Sequence, residues 1–292
     1  MQLLVGLAAG ALVTAFIVVF CTVIEHISVI ERYSLRARLP GLAMNLVQTP
    51  LSMMLAWLIG NFWRSLAIGE VVTIPLWTWL APLGAAGYAL QFLVLAMLTD
   101  FLVYWRHRTE HVLFWPIHMV HHSPTELHAA NDIGHPMQVW FSIVFITIPL
   151  SLIQIDGPET PVAVSFVLLL LTYYIHSPID VHFGMLRKVL VDNRFHRIHH
   201  SIEPRHFNKN FGICFSLWDR WFGTAYDPAP DEWPAVGLKN IDPPRTVRDY
   251  LLLPFRAGRM ERGGDSVGDQ AQTARAGPCL TSGRFGSSSH KS

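Results

Sequence analysis

Residues 84–111 read GAAGYALQFLVLAMLTDFLVYWRHRTEH. From Gly84 to Tyr104 the stretch is almost wholly apolar, and about 20 such residues are what a helix needs to cross a bilayer core of about 30 Å. It then ends in His107-Arg-Thr-Glu-His111. Histidines four apart lie on one helix face. One segment therefore announces both a membrane span and an imidazole-bearing end.

Two further clusters lie outward from it, His118-Met-Val-His121-His122 and His196-Arg-Ile-His199-His200, each at the edge of an apolar segment. Imidazole is the commonest protein ligand for first-row transition metals. An HxxxH pair offers two nitrogens from one face, and each HxxHH offers up to three. Eight nitrogens exceed the needs of one tetrahedral zinc and suit two metals sharing a site. A lone histidine near a membrane surface is ordinarily just an interfacial polar residue. Three clusters with repeated helical spacing beside apolar spans are costly without a function.

The composition agrees with a membrane setting. Of 292 residues, 51% are hydrophobic and 15% charged, against about 25% charged in soluble proteins. Mean hydropathy is +0.32. The net charge of +1 gives no basic field for nucleic acid. Three cysteines, Cys21, Cys214 and Cys279, form neither a disulfide framework nor a CxxC motif. Five apolar stretches are expected to span: Leu3–Ile24, Gly41–Phe62, Gly84–Tyr104, Met137–Ile155 and the shorter Pro161–His176. No Lys or Arg precedes the first, which is read as an uncleaved helix rather than a signal peptide. Val71–Leu83, with two prolines and two tryptophans, reads as interfacial.

Basic residues orient the bundle. Arg32, Arg36 and Arg38 follow the first helix, Arg106 and Arg108 the third, and Arg187, Lys188, Arg194 and Arg197 the fifth, while Arg64 falls on the other side. The positive-inside rule then puts the N-terminus outside and all three histidine clusters at the cytoplasmic face. The expected fold is all-α: a multi-span transmembrane helical bundle with a cytoplasmic, histidine-rich di-metal cap. Its parts are N-terminal transmembrane and interfacial helices (1–83), a catalytic domain (84–225), a C-terminal extension (226–255) and a disordered Gly/Ser/Arg-rich tail (256–292).

Other residues attach to this site. Asp100 sits at the inner end of an apolar helix, seven residues before His107 and near its face. It reads as an acceptor for a ligand N–H, with an interfacial cap as the alternative. Asn208, Asn210 and Gly212 follow the last cluster and are expected to shape the site floor. His128, His182 and His206 are read as hydrogen-bonding or loop residues, His26 as interfacial, and His290 as part of the tail. Glu110 and Glu126 are the only glutamates near the first two clusters and neither starts an ExxH, so the site is histidine-dominated and not of the carboxylate-bridged di-iron pattern. Zinc remains a rival for the metal, although a catalytic zinc needs only three protein ligands.

The chain resembles the fatty acid hydroxylase / sterol desaturase superfamily of integral-membrane non-haem di-iron oxidases. The resemblance runs through Asp100-Phe-Leu-Val-Tyr-Trp-Arg-His107-Arg-Thr-Glu-His111, Trp115-Pro-Ile-His118-Met-Val-His121-His122-Ser123, Phe195-His196-Arg-Ile-His199-His200-Ser201, Asn208-Lys-Asn210-Phe-Gly212 and Leu217-Trp-Asp-Arg-Trp-Phe-Gly-Thr224. It implies two Fe ions held by His107, His111, His118, His121, His122, His196, His199 and His200, with an extra histidine between the last two boxes. His176 is the first candidate for that extra ligand and His135 the next. Asp180 stands where some members carry another histidine, and is read as a carboxylate ligand or an acceptor behind one. The arginine that many members place before the His-Pro pair is missing here (Asp132-Ile-Gly-His135). The resemblance further implies O2 as cosubstrate and hydroxylation or desaturation of a sterol-like or fatty-acyl lipid drawn from the bilayer. No GxGxxG fingerprint is evident, so electrons are expected from a separate reductase, ferredoxin or haem cytochrome. Arg187, Lys188, Arg194 and Arg197 are read first as topology or headgroup residues, and second as a dock for such an acidic carrier. Two other classes stay open: a zinc-dependent membrane hydrolase, and a metal transporter or sensor.

Overall fold

The computed structural model describes residues 2–27, 30–157 and 160–260. In chain order its elements are α1 Gln2–Ile27, α2 Leu35–Ser65, β1 Val72–Ile74, α3 Leu76–Leu80, α4 Ala85–Leu113, α5 Trp115–His122, α6 Gln138–Ser142, α7 Ile148–Ser151, β2 Ile153–Ile155, α8 Thr160–Ile175, α9 Asn193–His199, α10 Leu217–Trp221 and α11 Val247–Met260.

Among the described residues, three helices are long and apolar enough to cross a membrane: Gly6–Ile27, Leu35–Ser65 and Ala85–Leu113. The fourth expected span is shorter than the sequence suggests, and the fifth is short, as its sequence already indicates. They are shorter apolar helices, Gln138–Ser151 and Ala163–Ile175, the former carrying a π-helical stretch at Ile143–Thr147. At about 1.5 Å per residue, neither reaches the ~30 Å of a full span. The first of these still reaches the interfacial segment, because β2 follows α7 and pairs in parallel with β1. Asp156, just beyond β2, accepts from Trp77 N at 2.6 Å and Thr78 N at 3.1 Å. It thereby satisfies donors that the short α3 leaves free at its start. The 71–83 segment is thus a strand, one short helix and a turn, in keeping with an interfacial reading.

α1 and α2 are tied by an ion pair between Arg38 and Glu25, both buried. Gly41 of α2 lies where a Cβ would collide with Asn131 Oδ1 and the Ala130 carbonyl. The missing side chain is what lets α2 press on the 129–131 turn. α8 packs on α4, and Leu95, Tyr104, Phe211, Phe215 and Trp218 form a core beneath the last two histidines of α4. The C-terminal extension folds back, with Tyr250 and Leu253 of α11 packing on Trp115, Met119 and Val120 of α5. α11 runs through Met260, past the expected start of the tail at Arg256. The rest of that tail, with Cys279 and His290, lies outside the described residues.

Candidate metal centre

Four short pieces of chain converge on one point. α4 brings His107 and His111 in its last turns. Pro116 then starts α5, a position where its missing N–H costs nothing, and α5 carries His118, His121 and His122. Asp192 caps α9, accepting from Phe195 N at 2.9 Å, and α9 brings His196 and His199, with His200 at its C-cap. His176 follows the end of α8.

Nine imidazoles gather in two groups: His107, His111, His118, His122 and His199 in one, His121, His176, His196 and His200 in the other. Each HxxHH box is shared between them. Residues i and i+4 (His118/His122, His196/His200) go to one group, and i+3 (His121, His199) to the other. At 100° per residue, i and i+4 point within about 40° of each other, whereas i+3 points about 100° away from i+4. One helical turn can therefore serve two adjacent sites. The rings of His122 and His200, one from each group, stack at 4.4 Å.

Hydrogen bonds fix the tautomers. Nδ1 of His107 meets the Phe211 carbonyl at 2.9 Å, that of His121 the Ile133 carbonyl at 2.9 Å, that of His176 the Thr172 carbonyl at 2.6 Å and that of His199 the Lys209 carbonyl at 2.8 Å. His118 Nδ1 lies 2.7 Å from the fully buried Glu110 carboxylate. A carbonyl only accepts, so the four Nδ1 atoms that meet carbonyls carry the proton and their Nε2 atoms are bare; His118 Nδ1 lies between the Glu110 carboxylate and Gln138 Nε2, 2.9 Å away. Bare Nε2 atoms then face one another: His121 and His176 stand 3.3 Å apart. Within the same groups His107–His118, His111–His199 and His176–His196 Nε2 pairs are at 3.2 Å. Lone pairs so opposed repel unless a cation lies between them. Separations of this size are those of neighbouring ligands on one metal with metal–nitrogen bonds of about 2.0–2.1 Å. The donor set therefore fits metal ions. The acceptors behind the rings are the outer contacts that usually orient metal-bound histidine.

Burial keeps the rings neutral, which metal binding requires. His118, His122, His196 and His200 are held well below the usual imidazole range, first by desolvation and then by neighbouring rings. Desolvation likewise lowers His121 to about 4 and His199 to about 3.

The remaining expected residues lie elsewhere or act differently. Asp180 is exposed and sits 3.9 Å from Arg194, outside both groups. His135 Nδ1 accepts from Met137 N, and its Nε2 faces the Leu251 carbonyl at 3.3 Å. Asp100 does not back a ligand ring. Its carboxylate accepts from Cys214 N, Phe215 N and Trp218 Nε1 at 2.9–3.0 Å, because the 211–218 loop covers that face of α4. Asn210, at φ +59°, staples α9 to the following strand-like segment through Phe195 O, Tyr226 O and Tyr226 N. His206 pairs with Ser201 and Glu232, His182 is exposed, and His26 bonds the Thr22 carbonyl. His128 is buried against Tyr33, with neither ring nitrogen hydrogen-bonded. Glu110 and its neighbour Gln138, which donates to it at 3.0 Å, both reach His118 Nδ1 and are candidate site residues that the sequence alone does not single out. The available signal was a carboxylate lying between two histidines of one box.

A cavity of about 360 Å³ opens beside the rings of His107, His118, His121 and His176, between α1, α2, α4, α8 and the 132–142 segment. On the other side a pocket of about 20 Å³, room for roughly one water, touches His111, His122 and His199.

Residues 92–224 match the family model described as fatty acid hydroxylase. Similar proteins include an ornithine lipid hydroxylase of Rhizobium tropici, 31% identical over 59% of this chain and 53% of that protein. An alkylglycerol monooxygenase of Danio rerio is 30% identical over 58% and 35%, and a Delta(7)-sterol 5(6)-desaturase of Aspergillus fumigatus is 29% identical over 48% and 38%. The chain thus spans about half or less of these relatives' lengths. No solved structure matches it.

Proposed function

We propose that the chain, whose residues 92–224 match the fatty acid hydroxylase family model, is a membrane-bound non-haem di-iron oxygenase that hydroxylates or desaturates a lipid. The observation that carries this reading is the pair of adjacent, buried histidine groups beside a cavity among the membrane helices. The five-histidine group and the four-histidine group would each hold one iron. Bound iron supplies the reduction of O2, in which two external electrons and two protons let one oxygen atom enter a C–H bond, or let two hydrogens be removed, with water as the other product.

The chain's own residues hold and shield this chemistry. Nδ1–H groups anchored on carbonyls keep the Nε2 atoms of His107, His121, His176 and His199 aimed inward, so these ligands need little reorganisation. The short α5 and α9 place ligands of both groups side by side. Burial keeps bulk water from the rings, and the cavity admits a substrate from the side of the helices rather than from solvent. The histidine side is assigned to the cytoplasm, where the basic residues concentrate and where a reductase, ferredoxin or haem cytochrome would deliver electrons.

Metal analysis of the purified protein, followed by dithionite reduction and O2 exposure under spectroscopic observation, tests the proposal. About two irons per chain that reoxidise with O2, and an oxygen-dependent change in a supplied lipid, are expected. Stoichiometric zinc after growth in ample iron, with no response to O2, would overturn it in favour of a hydrolase.

A further inference from the structure

The 360 Å³ cavity is not a plain hydrocarbon slot. One wall is a stripe of α2, Asn45, Gln48, Thr49 and Ser52, spaced i, i+3, i+4 and i+7 and so on one helix face. The rest of this helix is apolar enough to cross a membrane. Polar side chains within a span are costly and turn towards a partner or a cavity, and here all four line the same cavity as the histidine rings.

Two of the four are spoken for. Asn45 donates to the Ala130 carbonyl at 3.0 Å, and Gln48 Oε1 accepts from Gly134 N at 2.8 Å. The Thr49 and Ser52 hydroxyls make no hydrogen bond to the protein among the described residues. The stripe carries no charge. The charged groups of the cavity, Arg106 and Asp132, lie towards the histidines, Arg106 on Ser142 and Glu110, Asp132 near His176.

We propose that the cavity binds the uncharged hydrogen-bonding linkage of an amphiphile — an ester, amide, ether or hydroxyl — through Thr49 and Ser52, and so selects lipids that carry such a linkage close to the carbon presented to the histidines. The inference rests on the oxygenase reading for its second half only. The volume lies at the low end for ligand pockets of about 300–1,000 Å³, so it takes the linkage region and leaves the chain ends in the bilayer. An ionic headgroup has no counter-charge along the stripe and stays outside. A bare methylene chain would leave two hydroxyls unpaired.

The test is equilibrium binding to the full-length protein in lipid nanodiscs under argon, where no turnover occurs, read by native mass spectrometry. The probes are methyl palmitate, N-methylpalmitamide and hexadecyl methyl ether, against octadecane. The wild type is expected to prefer the linkage-bearing probes by about tenfold, the effect of two modest hydrogen bonds. Thr49→Val/Ser52→Ala removes both hydroxyls with little change in volume and should abolish that preference. The exchange Thr49→Ser/Ser52→Thr keeps the hydroxyls and should restore it. Equal binding of all probes by the wild type, or a preference that survives the double hydroxyl deletion, overturns the proposal. Loss of preference in the exchange variant as well would also overturn it, since packing would then be the cause. A preference found in a protein that shows no O2-dependent product supports the binding site and sinks only the oxygenase reading.

Discussion

Glu110 shows what one residue adds to a ligand ring. His118 could present either nitrogen to a metal. The carboxylate 2.7 Å from Nδ1 favours a proton there, which leaves Nε2 free, while Gln138 Nε2 at 2.9 Å from the same atom pulls the other way. An outer contact of this kind typically changes metal affinity by about 10–100-fold. Glu110→Ala is therefore expected to weaken metal retention within that range in a chelator-competition titration, and Glu110→Gln, which keeps an acceptor, to weaken it less. If Glu110→Ala competes like the wild type, the carboxylate only fills space. Histidine identity and spacing were legible here because they are local. The direction of an acid was not. Asp100, Glu110 and Asp180 are all acidic residues near histidines in sequence, yet the first binds a loop, the second a ligand ring and the third sits exposed beside Arg194. Only the packing of distant segments separates those three outcomes.

At the scale of elements, the repeated HxxHH was readable as one face of a helix. Its division between two groups was not, because that depends on which neighbours flank α5 and α9. The same limit explains the spans. Apolar length located the fourth and fifth segments, but the fourth ends at the β1–β2 pairing, a contact between residues about 80 apart in sequence. Two close contacts between elements can be tested. Asp100→Ala leaves the donors of Cys214, Phe215 and Trp218 without their acceptor, each orphaned group costing about 1–3 kcal/mol. The thermal midpoint in detergent should fall markedly, and Asp100→Asn, which keeps one acceptor oxygen, should fall less. Gly41→Ala forces a methyl group onto Ala130 and Asn131, and overpacking of this kind costs about 1–3 kcal/mol. An unchanged midpoint in Gly41→Ala would mean that α2 can slide from the 129–131 turn at little cost.

For the molecule as a whole, the histidine centre is a cluster of buried polar rings inside a fold that hydrophobic burial otherwise holds. Its rings must stay neutral in the folded state. Desolvation holds His118, His122, His196 and His200 well below the usual range, His121 at about 4 and His199 at about 3. In the unfolded chain the same rings titrate near 6.5. Below that value the unfolded chain takes up protons that the folded chain refuses, so unfolding becomes easier as pH falls. The effect is complete only once the folded pKa values are reached. One ring contributes up to about 1.4 kcal/mol per pH unit in this window, and several act together. Metal opposes the trend by binding only the folded, neutral set. The chelated protein is therefore expected to keep a flat thermal midpoint above about pH 7 and to lose it steeply between about pH 6.5 and about pH 4, while the metal-loaded protein holds its midpoint to lower pH. The measurement is tryptophan-monitored unfolding in detergent, with and without chelator. Parallel curves for the two forms would mean that the rings are not the groups being protonated. A chelated protein whose midpoint rises on acidification would mean that they are charged in the folded state, and that the two groups do not present neutral nitrogens to a metal.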